Sequence, residues 1–258
     1  MPWLLAVTVA WAVLLGALTW WSARHDAPTV REQRTLAQAG PVVDRALGEL
    51  VAAVGDGAWA LTGPQVERGC RITPMSAGAT LSRGLDVLVA EGGERALLER
   101  VADRLPADWR AGVRAGSAGP RLRADAGEFV AVQGRVTSGG RVRFTADTGC
   151  RPIGAGYPQP PAAPADPTLD GALRALGRPA QSAPELVTAP CPGGGTARTV
   201  AVSAGTAPVA LAGLRPLAAG SPVVDLPEAY AYRSGPATVL ADGTGAQVRL
   251  TASTGCPA

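Results

Sequence analysis

Residues 141–150, RVRFTADTGC, and residues 247–256, QVRLTASTGC, align without a gap and agree at seven of ten positions. Both segments end in Thr-Gly-Cys. The first alternates strictly, placing Val142 and Phe144 on one face and polar residues on the other, the period of a half-buried β-strand. A second match lies upstream of each. PVVDRALGEL (41–50) and PTLDGALRAL (167–176) share the Pro, the Asp, the Ala and both leucines. The matches occur in the same order, and the upstream one precedes a cysteine, Cys70 or Cys191, by 29 residues in one copy and 24 in the other. Self-similarity at matching order marks a duplicated folding unit.

The copies span about 41–150 and 167–256. Between them RPIGAGYPQPPAAPAD carries five prolines in sixteen residues and no apolar period, which predicts a partly extended linker over 151–166. In the first copy, Val43, Leu47, Leu50, Val51 and Val54 recur at helical spacing behind Pro41, a residue suited to a first helical turn. Leu97, Leu98, Val101, Ala102 and Leu105 form a second stripe that Pro106 stops. GLDVLVA, EFVAVQGRV and RVRFTAD are strand-like, and Gly139-Gly140 predicts a hairpin between the last two because glycine accepts positive φ. The second copy repeats this hairpin around Asp242-Gly243, but GLRPLAAGSP stands where the second helix would be.

The resulting expectation is an α+β protein: an N-terminal transmembrane helix followed by two small repeated α+β domains with antiparallel sheets. The boundaries are anchor 1–22, juxtamembrane segment 23–40, first repeat domain 41–150, Pro-rich linker 151–166 and second repeat domain 167–258. Cys70, Cys150, Cys191 and Cys256 fall two to a copy, one before the first expected strand and one after the last. Four cysteines allow three pairings. Pairing within each copy keeps each unit self-contained, so Cys70 is expected to join Cys150, and Cys191 to join Cys256. No two cysteines have zinc-ligand spacing, and the only histidine, His25, lies far from all of them. Neither a metal nor a cofactor is expected.

Residues 3–21, WLLAVTVAWAVLLGALTWW, carry no charge and are close to the ~20 residues that cross a bilayer as a helix. Trp3, Trp20 and Trp21 sit where indoles favour the lipid boundary. Small residues suited to signal cleavage are missing around Trp20-Trp21-Ser22, so the segment is expected to be retained as an anchor in contact with membrane lipid. Arg24, Arg31 and Arg34 follow it, which alone favours a cytoplasmic body. Duplicated pairs of cysteines favour the oxidising side, and the extracytoplasmic reading is preferred.

All 24 basic residues are arginine, the net charge is +3, and the arginines are interspersed with 21 acidic residues. No basic run is present, and nucleic acid is not an expected partner. His25 lacks a neighbouring nucleophile, and Gly193–Gly195 lacks the lysine of a phosphate loop. The carboxylate pairs Asp125/Glu128 and Glu91/Glu94 have the spacing for acid-base work and equally for a solvated surface. Arg141 and Arg143 in the first copy and Arg249 in the second project from the polar face of the last strand, with Arg143 and Arg249 at equivalent positions. They are the candidate contacts for an anionic wall polymer or another envelope protein.

The apolar anchor, the Asp-x-Ala-Leu helix at 44–47, LRADAGEFVAV at 122–132 and the two Thr-Gly-Cys ends together give a chain that resembles membrane-anchored proteins of high-GC actinobacteria. That family has no assigned activity. The resemblance implies an envelope location and carries over no functional residues. The expected function is a noncatalytic binding or scaffold protein of the cell envelope. An envelope hydrolase using carboxylates and a sensory or regulatory ectodomain of a membrane complex are the alternatives.

Overall fold

The computed structural model describes residues 2–25 and 34–257. Helix α1 (Pro2–His25) is followed by two six-stranded antiparallel sheets, each with helical segments on one face. In the first repeat, α2 (Leu36–Val54) leads into β1 (Ala58–Thr73) and β2 (Ser76–Leu88), then α3 (Glu94–Arg104). The strands β3 (Gly112–Arg114), β4 (Arg121–Asp125), β5 (Ala131–Ser138) and β6 (Arg141–Asp147) complete it. The second repeat has α4 (Pro167–Ala175), β7 (Glu185–Pro190), β8 (Thr196–Thr206) and a 3₁₀ turn at Leu211–Leu217. Its last strands are β9 (Val224–Leu226), β10 (Ala229–Ser234), β11 (Ala237–Asp242) and β12 (Gln247–Thr254). The spatial orders are β1-β2-β6-β5-β4-β3 and β7-β8-β12-β11-β10-β9, the same path traced twice. The repeat seen in the sequence is thus a repeat of topology.

Helix α2 begins five residues before Pro41. Thr35 caps it, its hydroxyl accepting the Gln38 N–H while the Gln38 side chain accepts the Thr35 N–H, and Leu36 and Ala39 bury themselves in the added turn. This reciprocal cap outweighs the N–H that Pro41 lacks inside the helix. Val43, Ala46, Leu47, Leu50 and Val51 then face Leu81, Leu85 and Phe144 in one core with Leu97, Leu98 and Val101 of α3. The second core gathers Leu169 and Leu173 of α4, Leu214, and Tyr230, Tyr232 and Leu250 of the sheet. Where the sequence shows no second helix in copy two, the chain makes the 3₁₀ turn that supplies Leu214.

Both disulfides form within a repeat: Cys70 with Cys150 and Cys191 with Cys256, with Cα separations of 5.9 and 5.6 Å. Cys70 lies inside β1 and Cys191 directly after β7, so neither precedes the first strand of its repeat. The sequence hides β1 because Gly63-Pro64 interrupts it, and the chain passes them as a register shift between Thr62 and Gln65. The Gly139-Gly140 hairpin forms as expected, with Gly140 at φ 71°.

The repeats do not hang separately on their linker. Edge strand β1 lies against the outer face of the second sheet, where Ala58, Ala60 and Leu88 pack on Ala229, Ala231 and Leu240. The outward N–H of Leu61 donates to Thr199 Oγ1 at 3.0 Å, and that hydroxyl also meets Ser253 Oγ at 2.9 Å. An edge N–H that would otherwise be buried unpaired is satisfied by a side chain of the other repeat. Helix α2 reaches β7 closely enough that a Cβ on Gly48 would stand 1.7 Å from the Pro190 carbonyl oxygen. The linker also packs down, since Arg151 pairs by its backbone with Ala79 and Ala162 bridges to Glu185.

Candidate functional site: an arginine-lined cleft

From the small-residue seam at Ala58 and Ala60 the outer faces of the two sheets open into a cleft of about 520 Å³. Thr62–Gln65, Ser82, Arg135, Arg143 and Thr145 line it from the first sheet; Glu185 and Arg249 line it from the second. Strand alternation sets which side chains face it. In β6, Val142, Phe144 and Ala146 are buried in the core, which turns Arg141, Arg143 and Thr145 outward. In β12, Val248, Leu250 and Ala252 do the same for Arg249.

The three sequence-derived arginines therefore share outward faces but have different surroundings. Arg143 makes a two-pronged bond to Asp86 on the neighbouring strand, Nε to Oδ1 at 2.6 Å and Nη2 to Oδ2 at 2.9 Å, which pushes its guanidinium pKa further up. Arg249, its repeat equivalent, stands on the opposite wall, half-buried, its guanidinium with no ion pair or hydrogen bond among the described residues. Its neighbours in register are Asp242 and Ser203, and Asp242 is engaged elsewhere. Arg141 is not in the cleft: it forms an ion pair with Asp242 that joins the two repeats. Burial pushes the Asp242 carboxyl up, but Arg141 together with the N–H and hydroxyl of Thr244 brings it below its usual value.

Sequence reasoning missed Arg135, which faces the cleft directly across the ladder from Arg143. It also missed Arg83, only 5% exposed, on the core face of β2 between Leu81 and Leu85. Arg83 forms an ion pair with Asp44 of α2 and donates to the Thr188 carbonyl of β7 at 2.7 Å and to the Tyr157 hydroxyl at 3.3 Å. Tyr157 in turn donates to Asp44 at 2.5 Å, and burial with that bond pushes its phenol up to about 12. The group ties helix, linker and second repeat together. The period-2 pattern Leu81-x-Arg83-x-Leu85-x-Val87 was the available signal, since it assigns Arg83 to the apolar face.

The candidate acid-base carboxylates have structural tasks. Asp125 accepts the Gly127 N–H at 3.0 Å, Glu94 accepts the Gly140 N–H at 2.6 Å, and Glu128 pairs with Arg34 at 3.2 Å. The Gly140 N–H holds the Glu94 carboxyl below its usual value. Glu91 lies over Gly139. Gly193–Gly195 form the turn between β7 and β8, closed by Cys191 N–H to the Gly195 carbonyl at 3.1 Å. His25 ends α1, and its side chain lies outside the described residues, as do residues 26–33 of the juxtamembrane segment. Compared with known proteins, the chain matches no family profile, no curated protein and no solved structure.

Proposed function

We propose that the chain is a single-pass membrane protein whose two repeats lie outside the cytoplasm and serve as a noncatalytic binding or scaffold body of the cell envelope. The observation that carries this reading is the coexistence of two intact disulfides, one per repeat, with an apolar helix of membrane-spanning length none of whose span residues is buried in the body. The resemblance to actinobacterial membrane-anchored proteins agrees with that location. Arg34, one of the three arginines whose position opposes it, is engaged by Glu128 of the folded body. Binding is favoured over hydrolysis because the cleft is lined by arginines with the single carboxylate Glu185, whereas Asp125, Glu94 and Glu128 are held in turns and an ion pair.

A reporter enzyme active only outside the cytoplasm, fused after Ala258, tests the location. It should be active, and the four cysteines should resist alkylation in intact cells until a reductant is added. A silent reporter or four thiols alkylated without reductant would overturn the reading.

A further inference from the structure

The outer face of the first sheet holds more than the cleft. Register places Arg114 of β3 opposite Arg121 of β4, Arg121 opposite Arg135 of β5, and Arg135 opposite Arg143 of β6. All four are exposed. Four cations thus lie side by side at the strand spacing of about 4.8 Å, a row roughly 14 Å long. Like charges directly opposite one another destabilise a sheet. Asp86 answers only the last of them, and the other three have no ion pair among the described residues.

The second repeat shows that the fold does not need this row. Its equivalent positions are Leu226, Ala229, Asp242 and Arg249, and Ala229 is buried at the seam with β1. At these positions the second repeat carries one arginine where the first carries four, and its apolar pair Leu226 and Ala229 belongs to the seam.

Resting on the extracytoplasmic binding role above, we infer that the row Arg114–Arg121–Arg135–Arg143 is a binding track for an extended polyanion, a linear polymer bearing one carboxylate or phosphate per unit. The track starts at the short outer strand β3, which leaves the polymer free to continue beyond it, and ends in the cleft, where Arg249 stands on the facing wall. A flat anionic bilayer surface can touch the open part of the row but does not enter a cleft between two sheets. Single-stranded nucleic acid is disfavoured by chemistry, because the outward register neighbours of the row include Gln133 and Thr145 and no aromatic ring on which bases could stack. Guanidinium forks suit carboxylate and phosphate alike, so the two polymer chemistries share one site.

The test uses the full chain in a neutral detergent micelle. Binding of fluorescent polygalacturonate and of inorganic polyphosphate is followed by anisotropy over a range of salt. At least one polymer should bind, at least tenfold more tightly than its monomer, with an affinity that falls as salt rises. Arg121→Gln/Arg135→Gln should weaken binding tenfold or more and lower the salt slope by about two, by analogy with phosphate contacts to nucleic acid. Arg249→Gln should weaken it at least threefold, while Arg215→Gln, at an exposed ion pair with Asp225 in the second repeat, should leave it unchanged. Equal binding by the double variant and the parent would overturn the inference. So would stronger binding to phosphatidylglycerol vesicles or oligothymidylate with Arg249→Gln silent. An inactive external reporter would refute the location without touching polymer binding, and absent polymer binding would refute the track without touching the location.

Discussion

Replacing Asp44 by alanine should destabilise the body strongly. Asp44 is the only carboxylate paired with the Arg83 guanidinium, and Arg83 is 5% exposed with its Nε already lacking an acceptor among the described residues. Removing one partner of a buried pair leaves an uncompensated charge and costs about 3–5 kcal/mol. A body of this size loses about 2–4 °C of Tm per kcal/mol, so the melt should fall by roughly 6–20 °C. Arg83→Met should be much milder, about 1 kcal/mol, because the surviving Asp44 side chain is 27% exposed and keeps the Tyr157 phenol and water as partners. Asp44→Leu/Arg83→Met should recover most of the loss, as apolar replacement of both partners usually does. The second repeat already carries Val200 where the first has Arg83, each paired in register with the equivalent alanine, Ala252 or Ala146. Thermal unfolding of the full chain in neutral detergent, followed by β-sheet circular dichroism, makes the comparison. A shift below about 3 °C for Asp44→Ala, or equal damage from Arg83→Met, would refute the reasoning.

Other changes probe the remaining contacts between and within the repeats. Gly48→Ala drives a methyl group into the Pro190 carbonyl, so α2 and β7 must separate; a loss of about 1–3 kcal/mol is expected in the same melt. Thr199→Val strands the Leu61 N–H at the seam and should cost about 1–3 kcal/mol, whereas Thr199→Ser should restore most of it. Removing either disulfide by paired Cys→Ser substitution should cost about 4 kcal/mol in a chain-entropy account, because the bridges close segments of 80 and 65 residues; denaturant titration measures it. Because the Asp242 carboxyl is held below its usual 3.8, its pair with Arg141 contributes stability that is fully present above that value and lost as pH falls through the lower folded one. The melts of the parent and Asp242→Asn should therefore differ at neutral pH and converge in strong acid.

The features legible in the sequence were local and repeated. RVRFTADTGC and QVRLTASTGC revealed the duplication, the last strand of each sheet and the partners of both disulfides, because alternation and cysteine position survive in a linear reading. Strand β1 did not, since its Gly-Pro interruption mimics a loop and only pairing with β2 shows that the ladder resumes at Gln65. The arginine row was invisible for a different reason. Arg114, Arg121, Arg135 and Arg143 are spread over thirty positions with no two adjacent, and strand register alone brings them together. Composition therefore suggested dispersed charge where the fold concentrates it. Arg141 and Arg143 were read as equals, yet Asp242 engages one across the repeats and Asp86 the other within a sheet, a difference that depends on tertiary contact.

The seam that covers β1 also limits pairing between copies of the protein through their strand margins. With the Leu61 N–H engaged by Thr199, the longest strand at a sheet margin has part of its hydrogen-bonding rim occupied. The opposite margins end in β3 and β9, each three residues long and too short to template an incoming chain, and β3 itself carries the charge of Arg114. β7 ends in Pro190 and is bridged by Ala162. Molecules crowded together would thus find few open backbone rims through which to zip into shared sheets, and would remain individually folded at densities where a long bare margin would polymerise.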